Sequence, residues 1–572
     1  MAISACVTSP SRLVIVLAGL AGSVLGCVAT AFSSVTVIAH GGMNAPGTNA
    51  RFGESFGSPT LDDSGAVLFR AQLTGSGITS ANDFGLWFGQ PSGLQLVARE
   101  GDAAPDCDGA LYNVLGTPIL SAGRVAFVAS LTGSGVTAAN NQAIFSGTPG
   151  NIRLVMRKGT QAPGQPGGCV YGQINEFAIS STGNVAFRSL LAGTGVVSGN
   201  DTAVSLSLAG NVIIGVREGA PLTSISLTAA VGDLTSGNLT LNAQNEVECV
   251  STVTGAGAGT TQGLWRISEN GVQIVGRSRL AAPGTPTGQT WLDFFSTTAL
   301  NGSGRSTFSA TLQGTGVNVG NTAGLWAGAP GSLALVIRYG DLAPGTLLSL
   351  QAFSTTPHIN TAGDTAFAAT LTGPGSTSTN NCGVWAIRGG QGQLLAQAGE
   401  QVPGFAPGVL FSAEPATRVA INDAGDVVMR WKVIDGSGTP QVVLKRSATG
   451  AWQTMLREGQ TITLSDAITK TVSAVWVISN GHSAGNDGRG SFFNSSGVAA
   501  GLVGLAEGGY AVVRMEGRCP ADFNDDGVVD FFDYLDFAAA FSTNDPTADY
   551  NEDGLVDFFD YLDFVAAFSV SC

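Results

Sequence analysis

The chain predicts an all-β body, a β-propeller-like ring of about eight four-stranded repeats, followed by a small α-helical domain. Three observations carry this. Charged residues make up 12% of the 572 positions, against about a quarter in an ordinary globular domain, while glycine occupies 81 of them. One turn pattern returns eight times at an almost constant interval. Glycines and Ala-Pro-Gly loops break the apolar runs at regular distances, which excludes a helical solenoid. A chain of this length exceeds one ordinary core, so a large repetitive domain is the natural solution.

The turn sets the period. A glycine followed four residues later by an aromatic appears as Gly65 with Phe69, Gly123 with Phe127, Gly183 with Phe187, Gly304 with Phe308 and Gly363 with Phe367. Asn245, Gly425 and Gly488 are assigned the same place in the remaining copies, and successive positions differ by 58 to 63 residues. In the better copies the turn begins three residues earlier, with Asp62, Asn242, Asn301, Asn360 or Asn422. A capping Asn or Asp and a fourth residue that tolerates positive φ are the signature of a type I turn. These residues therefore read as hairpin chemistry and not as metal ligands or catalysts.

Each unit then continues alike. Val67 to Leu73 leads to a Gly-x-Gly turn, then Gly85-Leu86-Trp87, then Leu94 to Arg99 and the loop Gly101-Asp102-Ala103-Ala104-Pro105. With the stretch before the turn, that makes four short strands per unit, as in a propeller blade. Val35 to Ala39, ahead of the first unit, matches the last-strand pattern Leu94 to Ala98, and Tyr510 to Met515 ends the final unit. A spare terminal strand is what a ring needs to join its first and last blades. Seven closed blades with an appended hairpin, an open β-solenoid and two smaller propellers remain open at this level. Asn360-Thr361-Ala362-Gly363-Asp364-Thr365-Ala366-Phe367 resembles the motif of a tandem-repeat family of secreted bacterial proteins named for Asn-x-x-Gly-x-x-Ala-Phe. That resemblance implies architecture and brings no activity with it.

Little in the repeats looks catalytic. Gly75-Ser76-Gly77, Gly133-Ser134-Gly135, Gly193-Thr194-Gly195 and Gly314-Thr315-Gly316 follow strands as phosphate loops do, but no helix follows them, and a turn recurs where a nucleotide site would not. Trp87, Trp265, Trp326 and Trp385 hold one place in successive units, which fits blade packing better than exposed sugar platforms. Arg99, Arg157, Arg217, Arg277, Arg338 and Arg457 close the last strand, as structural ion pairs or loop ties in preference to an anionic-polysaccharide site. His40, His358 and His482 lie at unrelated places without metal-ligand spacing. No basic patch for nucleic acid appears.

At the start, Arg12 precedes the apolar run Leu13 to Gly26, and Ala29-Thr30-Ala31 offers a small-x-small cleavage site, so residues 1–31 read as a secretory signal. Lipidation at Cys27 within Val24-Leu25-Gly26-Cys27, or an uncleaved anchor, would instead hold the chain at a membrane. Cleavage leaves six cysteines. Cys107 and Cys169 sit at similar places after successive repeats, with their pairing open, while Cys249 and Cys382 lie in strand-like stretches and read as buried thiols.

After the repeats of residues 34–518, residues 519–572 write one phrase twice. Asp522, Asn524, Asp526, Val528, Asp530 and Asp533 recur as Asp549, Asn551, Asp553, Leu555, Asp557 and Asp560, with Gly527 and Gly554 at the sixth position. Oxygen ligands at positions 1, 3, 5, 9 and 12, a backbone carbonyl at 7 and glycine at 6 form the pattern of a calcium loop, so two Ca2+ ions are expected. Tyr534 to Phe541 and Tyr561 to Phe568 follow at helical spacing, giving one helix per loop and no entering helix. Aspartate at position 12 departs from the usual glutamate. The stretch resembles a dockerin, the duplicated calcium module that plugs into cohesins, and the flanking Cys519 and Cys572 are similar to the cysteine-clasped variant. They are expected to form a disulfide that staples a small domain.

In that family, loop positions 10 and 11 meet the partner. Here they are Phe531, Phe532, Phe558 and Phe559, which leaves the partner a cohesin or another surface protein, and leaves a core role for the rings open. From residue 519 onward there are thirteen Asp or Glu and no Lys or Arg, so the tail holds −13 of the net −15 and the body is close to neutral. Like charges oppose compaction, and an ion that binds the folded form counters them by mass action. The sequence reads as an exported protein, extracellular or at the cell surface, whose calcium-loaded tail attaches a binding or structural body to its partner, with polysaccharide as the repeats' candidate ligand. The alternative is a polysaccharide-degrading enzyme, a glycosyl hydrolase or lyase, carried into a complex by its dockerin.

Overall fold

The computed structural model describes residues 33–226, 228–234, 237–255, 261–477, 487–517, 521–524, 529–550 and 555–570. Eight antiparallel sheets follow one another along the chain. Blade 1 consists of Arg51–Phe56, Val67–Thr74, Phe84–Gly89 and Gln95–Arg99, with the two-residue strand Thr60–Leu61 continuing the first. Blade 4 repeats it as Ala230–Val231, Val247–Thr254, Thr261–Ser268 and Gly271–Arg277, and blade 5 as Gln289–Leu300, Ser306–Gly314, Ala323–Gly328 and Ala334–Arg338. First strands touch first strands of the neighbouring blades almost all the way round, so they line the axis. The fold is an eight-bladed β-propeller.

The spare strand closes the ring. Ser33–His40 pairs antiparallel with Tyr510–Gly517, Val35 opposite Met515 and His40 opposite Ala511, and so supplies the outermost strand of blade 8. Tyr510–Gly517 is thus the third strand of its blade. The first two are Thr469–Trp476 and Ala499–Leu505. Closure through one interlocked sheet removes the edges that an open array would expose. Seven blades, a solenoid and two separate rings are excluded.

The expected turns are present, with an extra duty. Gly65 N–H donates to the Asp62 carbonyl at 3.0 Å and Gly304 N–H to the Asn301 carbonyl at 3.1 Å, and the fourth residue has φ of 77° at Gly65 and 63° at Asn245. The capping side chain also reaches the next blade. Asn242 Nδ2 donates to the Asn301 carbonyl, Asn301 to that of Asn360, Asn360 to that of Asn422, Asn422 to that of Asn494 and Asn494 to that of Asp62. Each of these carbonyls already accepts its own turn N–H, so the relay is a second bond to it and gives the buried side-chain amide a partner, without which the amide would cost about 1–3 kcal/mol.

This relay corrects the eighth repeat. Its turn is Asn494 to Gly497, 72 residues after Asn422, where Asn242, Asn301 and Asn360 follow one another at 59. Gly488 belongs instead to an insertion in blade 8 that runs into the axis. The four-residue spacing to an apolar side chain occurs by chance there.

Packing accounts for the other recurrent residues. Phe69 stacks on Trp87, Phe127 on Phe145, Phe308 on Trp326 and Phe367 on Trp385, as directly opposed cross-strand pairs. The indole N–H of Trp87, Trp326 and Trp385 donates to the carbonyl of Pro46, Pro283 and Pro344 respectively, each bond 3.0 Å. This ties the Gly-Leu/Val-Trp strand to the Ala-Pro-Gly loop. Cys107, Cys169, Cys249 and Cys382 are all buried free thiols, so Cys107 and Cys169 do not pair.

The tail holds two helices, α1 (Phe531–Ser542) and α2 (Phe558–Val570). Their cores are counterparts: the rings of Phe537 and Phe564 stack at 4.0 Å, and the hydroxyls of Tyr534 and Tyr561 lie 3.3 Å apart. Phe523 and Tyr550 close the cluster from the two loop starts.

Candidate functional site

Three places gather polar chemistry, the first of them in the tail. Asp533 is fully buried, its carboxylate accepting from the Asn524 N–H at 3.1 Å and the Asp530 N–H at 2.8 Å. Asp560 repeats this with the N–H groups of Tyr550 and Asp557, at 2.6 and 2.7 Å. Asp530 caps α1 through the Phe532 N–H, and Asp557 accepts from Phe559 N–H in the same way. The position-12 carboxylate therefore fastens each loop to the first turn of its helix. Asp522 is also buried.

Asp526, Val528, Asn551, Asp553, Cys519 and Cys572 lie outside the described residues, as does the N-terminal segment 1–32. Among the described residues no group of three His, Cys, Asp or Glu is gathered as a metal site, and no helix is long and apolar enough to cross a membrane. Asp549 is half-buried and Leu555 is exposed. Phe531, Phe532, Phe558 and Phe559 are 63–65% exposed, with Leu535, Leu555 and Leu562 also at the surface. The four rings are a surface feature and not core.

The second place is the propeller axis at the end where the Asn turns lie. The blade 8 insertion crosses it. Asp487 accepts from the Ala243 N–H of blade 4 at 2.8 Å, the Gly488 carbonyl accepts from Ile359 N–H of blade 6, and the Ser491 carbonyl accepts from Leu61 N–H of blade 1. Arg489 grips Asp63 of blade 1 with both guanidinium nitrogens, at 3.1 and 2.9 Å, and meets Asp423 of blade 7 at 3.2 Å. Burial raises Asp63's cost of ionising, yet the Arg489 hydrogen bonds hold its carboxyl below the usual range. Burial pushes the Asp487 carboxyl up. His358 of blade 6 faces the insertion at Gly490, and burial lowers its pKa to about 4, with Arg418 acting in the same direction. The chain itself thus bridges blades 1, 4, 6 and 7 across this mouth.

The third is the junction of blades 4 and 5. Arg266, almost fully buried, donates to Glu246 at 3.2 Å, Glu248 at 3.1 Å, Ser306 Oγ at 2.7 Å and the Gly304 carbonyl at 3.2 Å. Glu248 is completely buried, and desolvation raises its pKa against the pull of Arg266. A cleft of about 480 Å³ opens beside this network, lined by Gln244, Glu246, Arg266, Gln273, Ser303 and the backbone at Gly302, Gly304, Ala329 and Pro330.

Sequence reasoning missed both body sites. The signal for the junction was Glu248 at a strand position that reads Leu68, Ala126, Ala186, Thr307, Ala366 and Val428 in other blades. The signal for the axis was the extra length before Asn494.

The recurrent motifs are structural. Arg99, Arg157 and Arg217 donate from Nε to the carbonyls of Asn82, Asn140 and Asn200, and Gln397 does the same to Asn380. Those asparagines in turn tie the Gly-x-Gly turns, as Asn82 Nδ2 does at the Gly77 carbonyl. Trp87, Trp265, Trp326 and Trp385 are at most 1% exposed and present no platform.

A model described as a family of unknown function (DUF7453) matches residues 20–388 and 349–513. No curated protein matches the chain. Among solved structures, an oligogalacturonate lyase in complex with manganese is 10% identical, covering 73% of this chain and 98% of that one, with a TM-score of 0.33. The β-propeller domain of the Trilobed protease from Pyrococcus furiosus is 7% identical over 70% of this chain and 96% of that one, at 0.31. A Trypanosoma rangeli sialidase is 9% identical over 72% and 59%, at 0.27. Likeness of this order assigns neither substrate nor chemistry.

Proposed function

The chain belongs to that family of unknown function, DUF7453, and from this premise we propose that it is an exported calcium-binding protein whose tail attaches a propeller body to a partner outside the cell. The observation that carries the reading is the pair of loop-and-helix units. Asp522, Asp533 and Asp560 are buried in a segment that has no lysine or arginine from residue 519 to 572. Carboxylates gathered in so acidic a segment suit a cation, and hard oxygens at this spacing suit calcium.

Asp522, Asn524, Asp526, Asp530 and Asp533, with the Val528 carbonyl, would hold one ion. Asp549, Asn551, Asp553, Asp557 and Asp560, with the Leu555 carbonyl, would hold the other. Bound calcium supplies the charge balance that lets both loops close. Phe531, Phe532, Phe558 and Phe559 then form the docking surface, their exposed rings flanked by acidic residues, and a cohesin-like module is the partner. Dockerin-like attachment, export by residues 1–31 and the Cys519–Cys572 clasp belong to this reading together. The body acts as a binding or structural part: its axial mouth is bridged by the blade 8 insertion and its repeated residues are spent on packing.

The test is retention of the full protein on immobilised cohesin modules. Capture in calcium that is released by chelator, and lost in the Phe531→Ala/Phe558→Ala variant, supports the reading. No capture by any cohesin in calcium would contradict the partner assignment.

A further inference from the structure

Between blades 4 and 5 a cleft opens beside the Glu248–Arg266 pair that interrupts the repeat, with Arg266 on its wall and Glu248 buried behind it. Its volume of about 480 Å³ lies in the range of small-molecule sites, about 300–1,000 Å³. A guanidinium on the wall would ordinarily favour an anion. Here Glu246 on the wall and Glu248 behind it both pair with Arg266, so the positive charge is already balanced and offers an anionic ligand no spare cation.

What the cleft offers is planar and polar. Gln244 and Gln273 carry amides that donate and accept, Ser303 a hydroxyl, and the partly exposed Glu246 a carboxylate held in place by Arg266 and by Asn242 Nδ2 at 2.8 Å. The two amides both donate and accept, while the Glu246 carboxylate and Ser303 Oγ, whose own proton goes to Asn301 Oδ1, accept, a set that suits a ligand with closely spaced groups of both kinds such as vicinal hydroxyls. The holding network is rigid: Ser306 Oγ accepts from Arg266 while donating to Glu248, and Asp487 packs against Gly302 at the axial side. Burying Glu248 and Arg266 is costly compared with the apolar pairs of other blades, such as Leu68 opposite Phe88. The pair stands directly behind the wall of the cleft and holds Glu246 through Arg266.

We propose that this cleft binds a neutral carbohydrate through Glu246, Gln244, Gln273 and Ser303. The site stands in the body and does not depend on the calcium reading of the tail.

Isothermal titration of the full chain with neutral oligosaccharides of glucose, xylose and mannose, and with oligogalacturonate as the anionic comparator, tests it. A neutral series binds saturably, Gln273→Ala weakens it by about three- to tenfold as for one lost hydrogen bond, and Ser303→Trp, which fills the cleft from an exposed turn, abolishes it. Unchanged melting temperatures in both variants show that the ring is intact. Absence of saturable binding by every neutral series, binding unaffected by the two variants, or tighter binding of oligogalacturonate would each overturn the proposal.

Discussion

The body and the tail both repeat themselves, and repetition means opposite things in them. In the propeller, what recurs is packing: the tryptophans reach proline carbonyls, the arginines reach asparagine carbonyls, and the Asn turns pass hydrogen bonds from blade to blade. Its unusual chemistry sits where the pattern fails, at Glu248 with Arg266 and at the Asp487–Arg489 insertion. In the tail the repeated residues are the ones proposed to hold the ions, and Asp533 and Asp560 make matching contacts with their own loops. A motif's recurrence is therefore no guide to its role until the number of copies is set against what a ligand needs.

That contrast is most exposed to failure at Arg266. Arg266→Ala strips a fully buried carboxylate of its cation and should cost about 3–5 kcal/mol in chemical denaturation. Replacing Glu248 and Arg266 together by alanine should cost markedly less than Arg266→Ala. Equal costs would mean that the two charges are not coupled.

His358 gives the next largest effect, through pH. Its folded pKa is about 4 against an ordinary 6.5, so between those values the unfolded chain binds more protons and stability falls as the pH drops. At about 1.4 kcal/mol per unit the full loss is about 3 kcal/mol. His358→Gln should flatten the pH 4 to 6.5 segment of the stability profile, and a profile identical to the wild type would show that the axial insertion does not bury this ring.

Arg489→Ala should lower stability by about 2 kcal/mol, less than a fully buried pair because Asp63 is half exposed. Arg489→Lys should recover little of it, since an ammonium cannot bridge both Asp63 oxygens as the guanidinium does. Smallest of all, Phe531→Ala with Phe558→Ala should change the melting of the tail by less than about 0.5 kcal/mol, as expected of surface positions. A large loss there would return these rings to the core.

Most of the ring was legible before any coordinates, because blade packing imposes a period and the period is written in turn residues such as Asn301 and Gly304. The spare strand at Val35 to Ala39 even foretold how the ring closes. Two things were hidden by physics that sequence spacing does not carry. The insertion before Asn494 carries a glycine at nearly the repeat distance, so Gly488 took the place of Gly497 until the inter-blade bonds of Asn494 fixed the register. Arg266 and Glu246 are twenty residues apart and meet only through the hairpin that joins their strands, so neither looks like half of a site when read along the chain. The two helices of the tail were legible for the reverse reason: their apolar spacing after each acidic loop is local in the chain.

Calorimetric titration of calcium into the full-length, metal-stripped protein bears most directly on the claim that the tail is a divalent-ion module. Two bound ions per chain, with the heat abolished in Asp522→Ala/Asp549→Ala and the body's own melting transition unchanged, is the expected result. Absence of heat at millimolar calcium, or heat that survives both substitutions, would contradict it.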